Sequence, residues 1–537
     1  MTAPSGDGFS AQSQDWEWAV SSVHTSGRAL SPTVCTPFGS FIAVVGTFTG
    51  MVIIDTVAVE SHGGTDLCVA VLDTSGRAIG AVSIGGVGLD YSYCLTATDE
   101  FIYIAGSGEN ELFVNETTSG LNDATRFGFI VVLDSALNLI VASMFEGDYR
   151  ISDLFADSDR VIAVGSAWSD AIVVDDSSIV TSSTPTLLWL GMTTSFDLNW
   201  VDKADVGTGG ELSGTITSVT YSNSNVISAG YAESVVGFSD GTTMSSDRYV
   251  GFICHHNDEG TLVSSVQVGG SKGGNSATVT SLDAYGNVVY AGGEFTGELQ
   301  FRDSVLGVKD GFFTDGFLLA IDSTGDLLWA SIVSSPGHVS LNSLSHDSLG
   351  ALTVFGNVRQ SDSFTVGTFE LSTEVRYIGY AATLGPWGDG VNAWLSLLNF
   401  DSVLSDGFVN GGGIPFVSGT YAGSISLRGT ELHSDTTALF VARVKSTTTS
   451  IAWHEVGTKP SMSASYNDGF VVVTGISGAV TTINFYTVFG QLIGSPTVTQ
   501  HGDYLVAEIP GIAANQVLFM TIGMQDGSYH HASVLTR

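Results

Sequence analysis

Residues 286–297 read GNVVYAGGEFTG and residues 315–330 read DGFLLAIDSTGDLLWA. Each half is a short run of Val, Leu, Ile, Phe and Tyr closed by Gly or Asp, which is the strand-and-turn signature. The first half is a strand that ends at Gly292. The second half is a strand to Asp322, a turn at Ser323-Thr324-Gly325, and a further strand carrying Trp329. Asp bonds its own backbone and Gly tolerates positive φ, so the turn chemistry is sound.

Both halves recur. FIAVVGTFTG contains Gly46, FIYIAGSG Gly106, VIAVGSA Gly165, VISAGYA Gly230, LTVFGNV Gly356 and PFVSGTYAG Gly419. With Gly292 that makes seven copies, and 373 residues separate the first glycine from the last, a period of about 62. The second half keeps phase as DLCVAVLDTSG (Asp66–Gly76), FGFIVVLDS (Phe127–Ser135) and LLWLGMTTS (Leu187–Ser195). It continues as VGFICHHNDEG (Val250–Gly260), YIGYAATLG (Tyr377–Gly385) and ALFVARVKS (Ala438–Ser446). Tryptophan recurs on the strand that follows, at Trp18, Trp200, Trp329, Trp394 and Trp453.

A unit of about four short strands cannot cover both faces of its own sheet, so neighbouring sheets must stack. Radial stacking of four-stranded sheets gives a β-propeller, commonly of four to eight blades. The units resemble the SBBP-type repeats of seven-bladed propellers over roughly residues 16–456. That resemblance implies an all-β fold with seven blades, eight being the alternative. Two segments compete for the closing outer strand: Trp16-Glu17-Trp18-Ala19-Val20 and Ile451-Ala452-Trp453.

The period breaks at Gly457-Thr458-Lys459-Pro460. The domain reading is therefore an extension at 1–15, the repeats at 16–456, a linker at 457–460 and a separate β-sandwich at 461–537. Phe485–Ile493, Ala507–Phe519 and the turn Gln525-Asp526-Gly527 resemble the C-terminal sorting domains of type IX secretion. The family's opening Pro-Asn-Pro is missing, and its Gly-x-Tyr position holds Gln516-Val517-Leu518. The resemblance implies a sandwich, used either for sorting or for attachment.

Composition narrows the partners. Of 537 residues, 17 are Lys or Arg and 54 are Asp or Glu, a formal net charge of −37. Such a field repels phosphate and anionic lipid, so neither nucleic-acid binding nor membrane insertion is expected. Gly at 66 with Pro at only 10 excludes collagen and Pro-rich disorder. No apolar stretch reaches the ~18 residues of a spanning helix. The first residues, Met1 to Gly8, have neither a basic nor an apolar segment, so no signal peptide is read there. Cys35, Cys68, Cys94 and Cys254 show no CxxC spacing and lie in apolar runs, which predicts four free thiols.

Motifs that carry chemistry are sparse, and no catalytic, cofactor or metal residue is assigned. Gly269-Gly270-Ser271-Lys272-Gly273 matches GxSxG, but the nucleophile elbow needs a helix after it and none follows. His255-His256 and His530-His531 would point to opposite faces of a strand, without partners at metal spacing, and read as surface polar groups. Asp157-Ser158-Asp159, Asp175-Asp176 and Asp310 with Asp315 invite a calcium reading, yet none completes an EF-hand loop. They read as turn carboxylates, with a divalent cation such as calcium left open. Asn115-Glu116-Thr117 is the one N-glycosylation sequon. Val517, Leu518, Phe519 and Met520 form an apolar run in the sandwich, read as an assembly strand.

These readings add up to a non-enzymatic structural or binding protein of an extracellular surface, an appendage or a virus particle. Its partners would be proteins or further copies of itself, with a glycan as a further candidate. The alternative is a secreted enzyme that acts on a glycan or other polymer through acidic loop residues, for which two convergent carboxylates ~5–10 Å apart would be the mark.

Overall fold

The computed structural model describes residues 16–444, apart from short segments at 115–116, 119–125, 175–176, 182–184, 208–213, 271–274, 310, 323–324, 349, 367–368, 373–375, 385–389, 398–401, 412 and 428–429. It also describes eight strands between 463 and 535. Every regular element among these residues is a β-strand. The chain divides into two compact units, one of residues 1–346 with 352–445 and one of 446–537 with the short turn 347–351.

The stretch that opened the sequence argument shows how one unit is built. Ser276–Tyr285 turns through Gly286 into Val288–Phe301, with Tyr285 opposite Val288. That strand pairs with Asp315–Asp322, which pairs with Leu327–Ser334, so that Ala320 faces Trp329. All pairs are antiparallel. The last turn is tied by Asp322, whose Oδ1 accepts the Asp326 N–H at 3.0 Å while its carbonyl accepts that of Gly325 at 3.0 Å.

The third strand of a unit is buried on both faces because a neighbouring sheet covers each side. In Thr186–Met192, Leu188 and Leu190 enter one apolar core and Leu187 and Trp189 enter the next. Consecutive side chains of a strand point to opposite faces, so each sheet joins two cores. Trp189 is fully buried and donates its indole N–H to Ser228 Oγ at 2.7 Å. Truncating such a residue to Ala costs about 3–5 kcal/mol.

The recurring glycine also has a physical cause. The first strand of each unit bulges: the register shifts between Ser92 and Cys94, Ile151 and Asp153, Ile216 and Ser218, and likewise in the later units. The bulge presses a carbonyl oxygen against the second strand. A Cβ on Gly106, Gly165, Gly230, Gly293, Gly356 or Gly419 would overlap the carbonyl of Tyr91, Arg150, Thr215, Thr278, Ser340 or Val403 in turn. In the fifth unit this role belongs to Gly293, not to the Gly292 expected from sequence. In the first unit the shift falls between Leu30 and Thr33, and Gly46 meets the Leu439 side chain instead.

What the sequence presents as a variable loop between second and third strands contains paired strands of its own. Its hairpins include Ala171–Val174 with Ser177–Val180, and Ser363–Val366 with Phe369–Ser372. Each pairs at its base with the last strand of the preceding unit, as in Glu146 with Val173 and Val333 with Val366. Adjacent units are thereby stitched by main-chain bonds as well as by apolar packing.

Of the two segments weighed for the outer strand, Trp16-Glu17-Trp18-Ala19-Val20 lies within the described residues and is paired. Trp16–Phe38 runs for 23 residues. Its first part pairs with Thr430–Val444, Trp16 opposite Val444 and Ser21 opposite Phe440. Its second part pairs with Phe41–Ile54. Ser22 Oγ accepts the Leu439 N–H at 2.9 Å, and Ser21 Oγ lies 2.7 Å from the Tyr421 hydroxyl. Ile451-Ala452-Trp453, the extension 1–15 and the expected linker 457–460 lie outside the described residues.

In the second unit two four-stranded antiparallel sheets form, ordered 463–467, 470–474, 504–508, 497–501 and 492–494, 480–486, 517–524, 529–535. Val517, Leu518, Phe519 and Met520 do not lie on an edge. Val517–Met524 pairs with Val480–Tyr486 on one side and Tyr529–Leu535 on the other, so its main chain has no row of open groups to offer.

Candidate functional site

Seven inner strands surround a cavity of about 440 Å³. They are the second part of Trp16–Phe38, then Tyr91–Ala97, Tyr149–Ala156, Gly214–Ser222, Ser276–Tyr285, His338–His346 and Val403–Val409. Each packs against the next, and the seventh packs against the first. The cavity wall combines hydroxyls, three carboxylates and an amide with apolar side chains such as Leu95, Leu154 and Phe408, and no Lys or Arg is among its described residues.

The bulge places the wall. It turns one extra residue inward in strands after the first, among them Ser152, Thr217, Thr280 and Asn342, and aims the next side chain at the neighbouring strand. Thr217 Oγ1 donates to the Val279 carbonyl at 2.6 Å and Thr280 Oγ1 to that of Leu341 at 2.6 Å. Ser152 Oγ and Asn342 Nδ2 make the corresponding bonds to Ile216 and Leu404.

One position further on, a second ladder runs round the cavity. Asp153 Oδ2 accepts the Val219 N–H at 2.7 Å, Ser218 Oγ that of Leu282 at 3.0 Å, and Ser281 Oγ that of Leu344 at 3.1 Å. Ser343 Oγ accepts from Gly407 at 2.9 Å, and Asp406 Oδ2 from Cys35 at 2.9 Å. Val34 and Cys94 stand at the two remaining positions, where no oxygen is available to accept.

Two carboxylates sit within this ladder. Burial pushes Asp153 up to about 7, against the pull of its bonds from Val219 and Leu154 N–H, and the negative charge of Asp406 pushes the same way. Burial likewise pushes Asp406 up to about 6, with the Cys35 and Gly407 N–H groups pulling down. A third wall carboxylate, Asp283, lies 2.6 Å from His346 Nδ1. All three hold protein groups, so the arrangement ties strands together and presents hydroxyl edges to the cavity.

The residues weighed from sequence fall elsewhere. Gly269 and Gly270 lie between Leu262–Val268 and Ser276–Tyr285, with no helix; Ser271 to Gly273 lie outside the described residues. His255 and His256 are buried, not surface groups as read from sequence. His256 Nε2 is 2.9 Å from Asp202 Oδ2, and its ring stacks on Trp200 with centroids 6.2 Å apart. His530 and His531 belong to Tyr529–Leu535. Asp157 caps its own turn, taking the Asp159 and Arg160 N–H groups at 2.8 and 2.9 Å. Asp315 is buried and ion-paired to Lys309 at 2.8 Å. Asp175, Asp176, Asp310 and Asn115 lie outside the described residues. Among the described residues no group of three His, Cys, Asp or Glu is placed to hold a metal.

Neither a known protein family nor a curated protein matches the sequence. Among solved structures, the chain is similar to a biofilm-associated protein, BSP domain. The identity is 10%, the TM-score 0.12, and the match spans 100% of this chain and 98% of that one. At that TM-score the likeness carries no argument about fold or function.

The cavity residues were not singled out from sequence. Their signal was present as a Ser or Asp about a dozen residues before five of the seven repeat glycines, with Val34 and Cys94 at the other two, but its meaning depends on a neighbour some 62 residues away.

Proposed function

We propose that residues 16–444 form a closed seven-bladed β-propeller of SBBP-like repeats, followed by a β-sandwich used for attachment or assembly. The protein then serves as a non-enzymatic structural or binding component of an extracellular surface, an appendage or a virus particle. The observation that carries the propeller reading is cyclic contact. Seven inner strands meet in chain order and the seventh meets the first, while Trp16–Phe38 belongs to the last sheet and the first at once. Closure of this kind leaves few open strand edges and gives a rigid body.

The non-enzymatic reading is supported by how the wall carboxylates are used. Asp153 and Asp406 each hold a main-chain N–H, and Asp283 holds His346. A hydrolase acting on a glycan needs a pair of carboxyls free to work on substrate.

Assembly is assigned to the second unit. Ser463–Asn467 and Tyr529–Leu535 are in contact, which leaves Thr497–His501 and Leu492–Gly494 as the edges able to accept a neighbour's strand. At −37 per chain, copies repel one another, so association is expected to strengthen with salt. Light scattering on the full-length protein at low and high ionic strength tests this. Mass that grows with salt supports the reading, and a monomer under every condition removes the assembly role.

A further inference from the structure

The end of the propeller that carries the hairpins holds a second concavity, of about 270 Å³, where the second and third units meet. Tyr91 and Tyr93 come from the inner strand of the second unit, Glu109 and Arg126 from the flanks of its hairpin segment, and Asp148 and Arg150 from the start of the third. We propose that this concavity is a binding site for a neutral pyranose, one sugar of a glycan. The proposal deepens the binding role above, and rests on it only in that the sugar is held and not cleaved.

Charge is the first argument. Arg126 Nε lies 3.3 Å from Glu109 Oε1, and its Nη1 lies 3.0 Å from Asp148 Oδ2; Arg150 Nε lies 3.3 Å from Asp148 Oδ1. Two guanidinium groups are matched by two carboxylates, so the site is locally neutral on a molecule of net charge −37. An anion would find both positive charges already compensated, and a cation would find both Asp148 oxygens and Glu109 Oε1 already engaged by the arginines. A neutral polar ligand suffers neither cost.

Geometry is the second. Guanidinium and carboxylate are planar forks, the one all donors and the other all acceptors. Adjacent sugar hydroxyls each donate and accept, so they complement such a mixed pair of forks. The forks are also held before any ligand arrives, because Arg150 sits 5.1 Å over the Trp168 ring and Asp148 bridges both arginines. Groups fixed in advance lose little freedom on binding.

Apolar surface is the third. Tyr91, Tyr93 and the exposed Leu89 line the same hollow, and a pyranose presents C–H groups that pack on such surfaces. The volume falls just below the ~300–1,000 Å³ of sites for drug-sized ligands, which suits a single ring.

The test titrates the full-length protein, by calorimetry, with methyl α-mannopyranoside, methyl β-glucopyranoside, methyl β-galactopyranoside and N-acetylglucosamine, with glucuronate as the anionic control. At least one neutral sugar is expected to bind saturably and more tightly than glucuronate. Arg126→Ala and Tyr91→Ala are expected to weaken that binding about tenfold or more, while Tyr91→Phe retains it. The Arg126 side chain is half exposed, so its variant keeps the fold even if Tyr91→Ala does not, and circular dichroism monitors both. The proposal is overturned if no neutral sugar saturates, if glucuronate binds more tightly, or if Arg126→Ala binds like the parent. In a separate incubation with an oligosaccharide, release of sugar that survives in Arg126→Ala would count against the non-enzymatic reading alone, whereas release lost in Arg126→Ala would overturn the reading of this site as one that holds sugar without cleaving it.

Discussion

Asp406 accepts the main-chain N–H of Cys35 at 2.9 Å, joining the last inner strand to the first across 371 residues of chain. The same bond is made by Ser343 to Gly407 and by Ser281 to Leu344, each reaching one unit forward. The last and first inner strands are therefore joined by the device that joins the others, with a carboxylate in place of a hydroxyl. Removing Asp406 as Ala leaves the Cys35 N–H without its acceptor and is expected to cost about 1–3 kcal/mol. Asn keeps an acceptor oxygen and should cost clearly less. Denaturant unfolding of the two variants checks this; equal losses would show that the bond contributes nothing.

Acidity should stabilise the fold. Asp153 and Asp90 are raised to about 7 and Asp406 to about 6, in each case chiefly by burial, from an ordinary value of 3.8. The folded chain thus binds more protons than the unfolded chain between about pH 4 and 7. The stability these groups contribute is complete below the unfolded value and is lost as pH rises through the folded values. Relief of self-repulsion at lower pH works in the same direction. The melting temperature is expected to fall between about pH 5 and 8, less steeply in Asp153→Asn than in the parent. A melting temperature that climbs over that range would refute the assignment.

The four cysteines should be inert. Each is buried and free, and burial pushes Cys68 up to about 12 and holds the other three well above the ordinary thiol range. Cys35 and Cys94 stand 11 and 12 residues before Gly46 and Gly106, and their registers show the offset. Cys35 faces Val44, two residues before Gly46, while Cys94 faces Ala105, one before Gly106. Cys35 packs among Phe408 and Phe416 and Cys94 among Tyr149 and Ile151, in separate cores. Iodoacetamide is expected to label none in the native protein and all four after unfolding. Early labelling of any one would contradict this packing.

Two glycines of like backbone should respond differently to a methyl group. Gly260 at φ +76° and Gly241 at φ +85° both occupy the left-handed region, where an L side chain is strained by roughly 1 kcal/mol or more. A Cβ at Gly260 would overlap the Trp200 ring, whereas nothing lies within 4 Å of one at Gly241. Gly260→Ala is therefore expected to lower the melting temperature well beyond Gly241→Ala. Equal effects would mean that the Trp200 ring yields without cost.

Strand content, the period and the turns were legible in Gly286–Trp329 because they are local. Side-chain alternation, an Asp–Gly turn and a β-branched run act within a few residues of one another. The burial of Cys68 and Cys254 followed from the same apolar runs. Four decisions needed the tertiary structure. Trp16–Val20 pairs with partners more than 400 residues away. Gly293 takes the repeat position from Gly292 because a bulge in the facing strand selects which residue meets a carbonyl. His255 and His256 are buried because flanking sheets cover both faces of their strand. Asp406 meets Cys35, Asp153 meets Val219 and Arg126 meets Asp148 only when successive units are brought side by side. A pattern of period two fixes which residues share a face, but not which distant face will cover them, and that choice is made by stacking of the sheets.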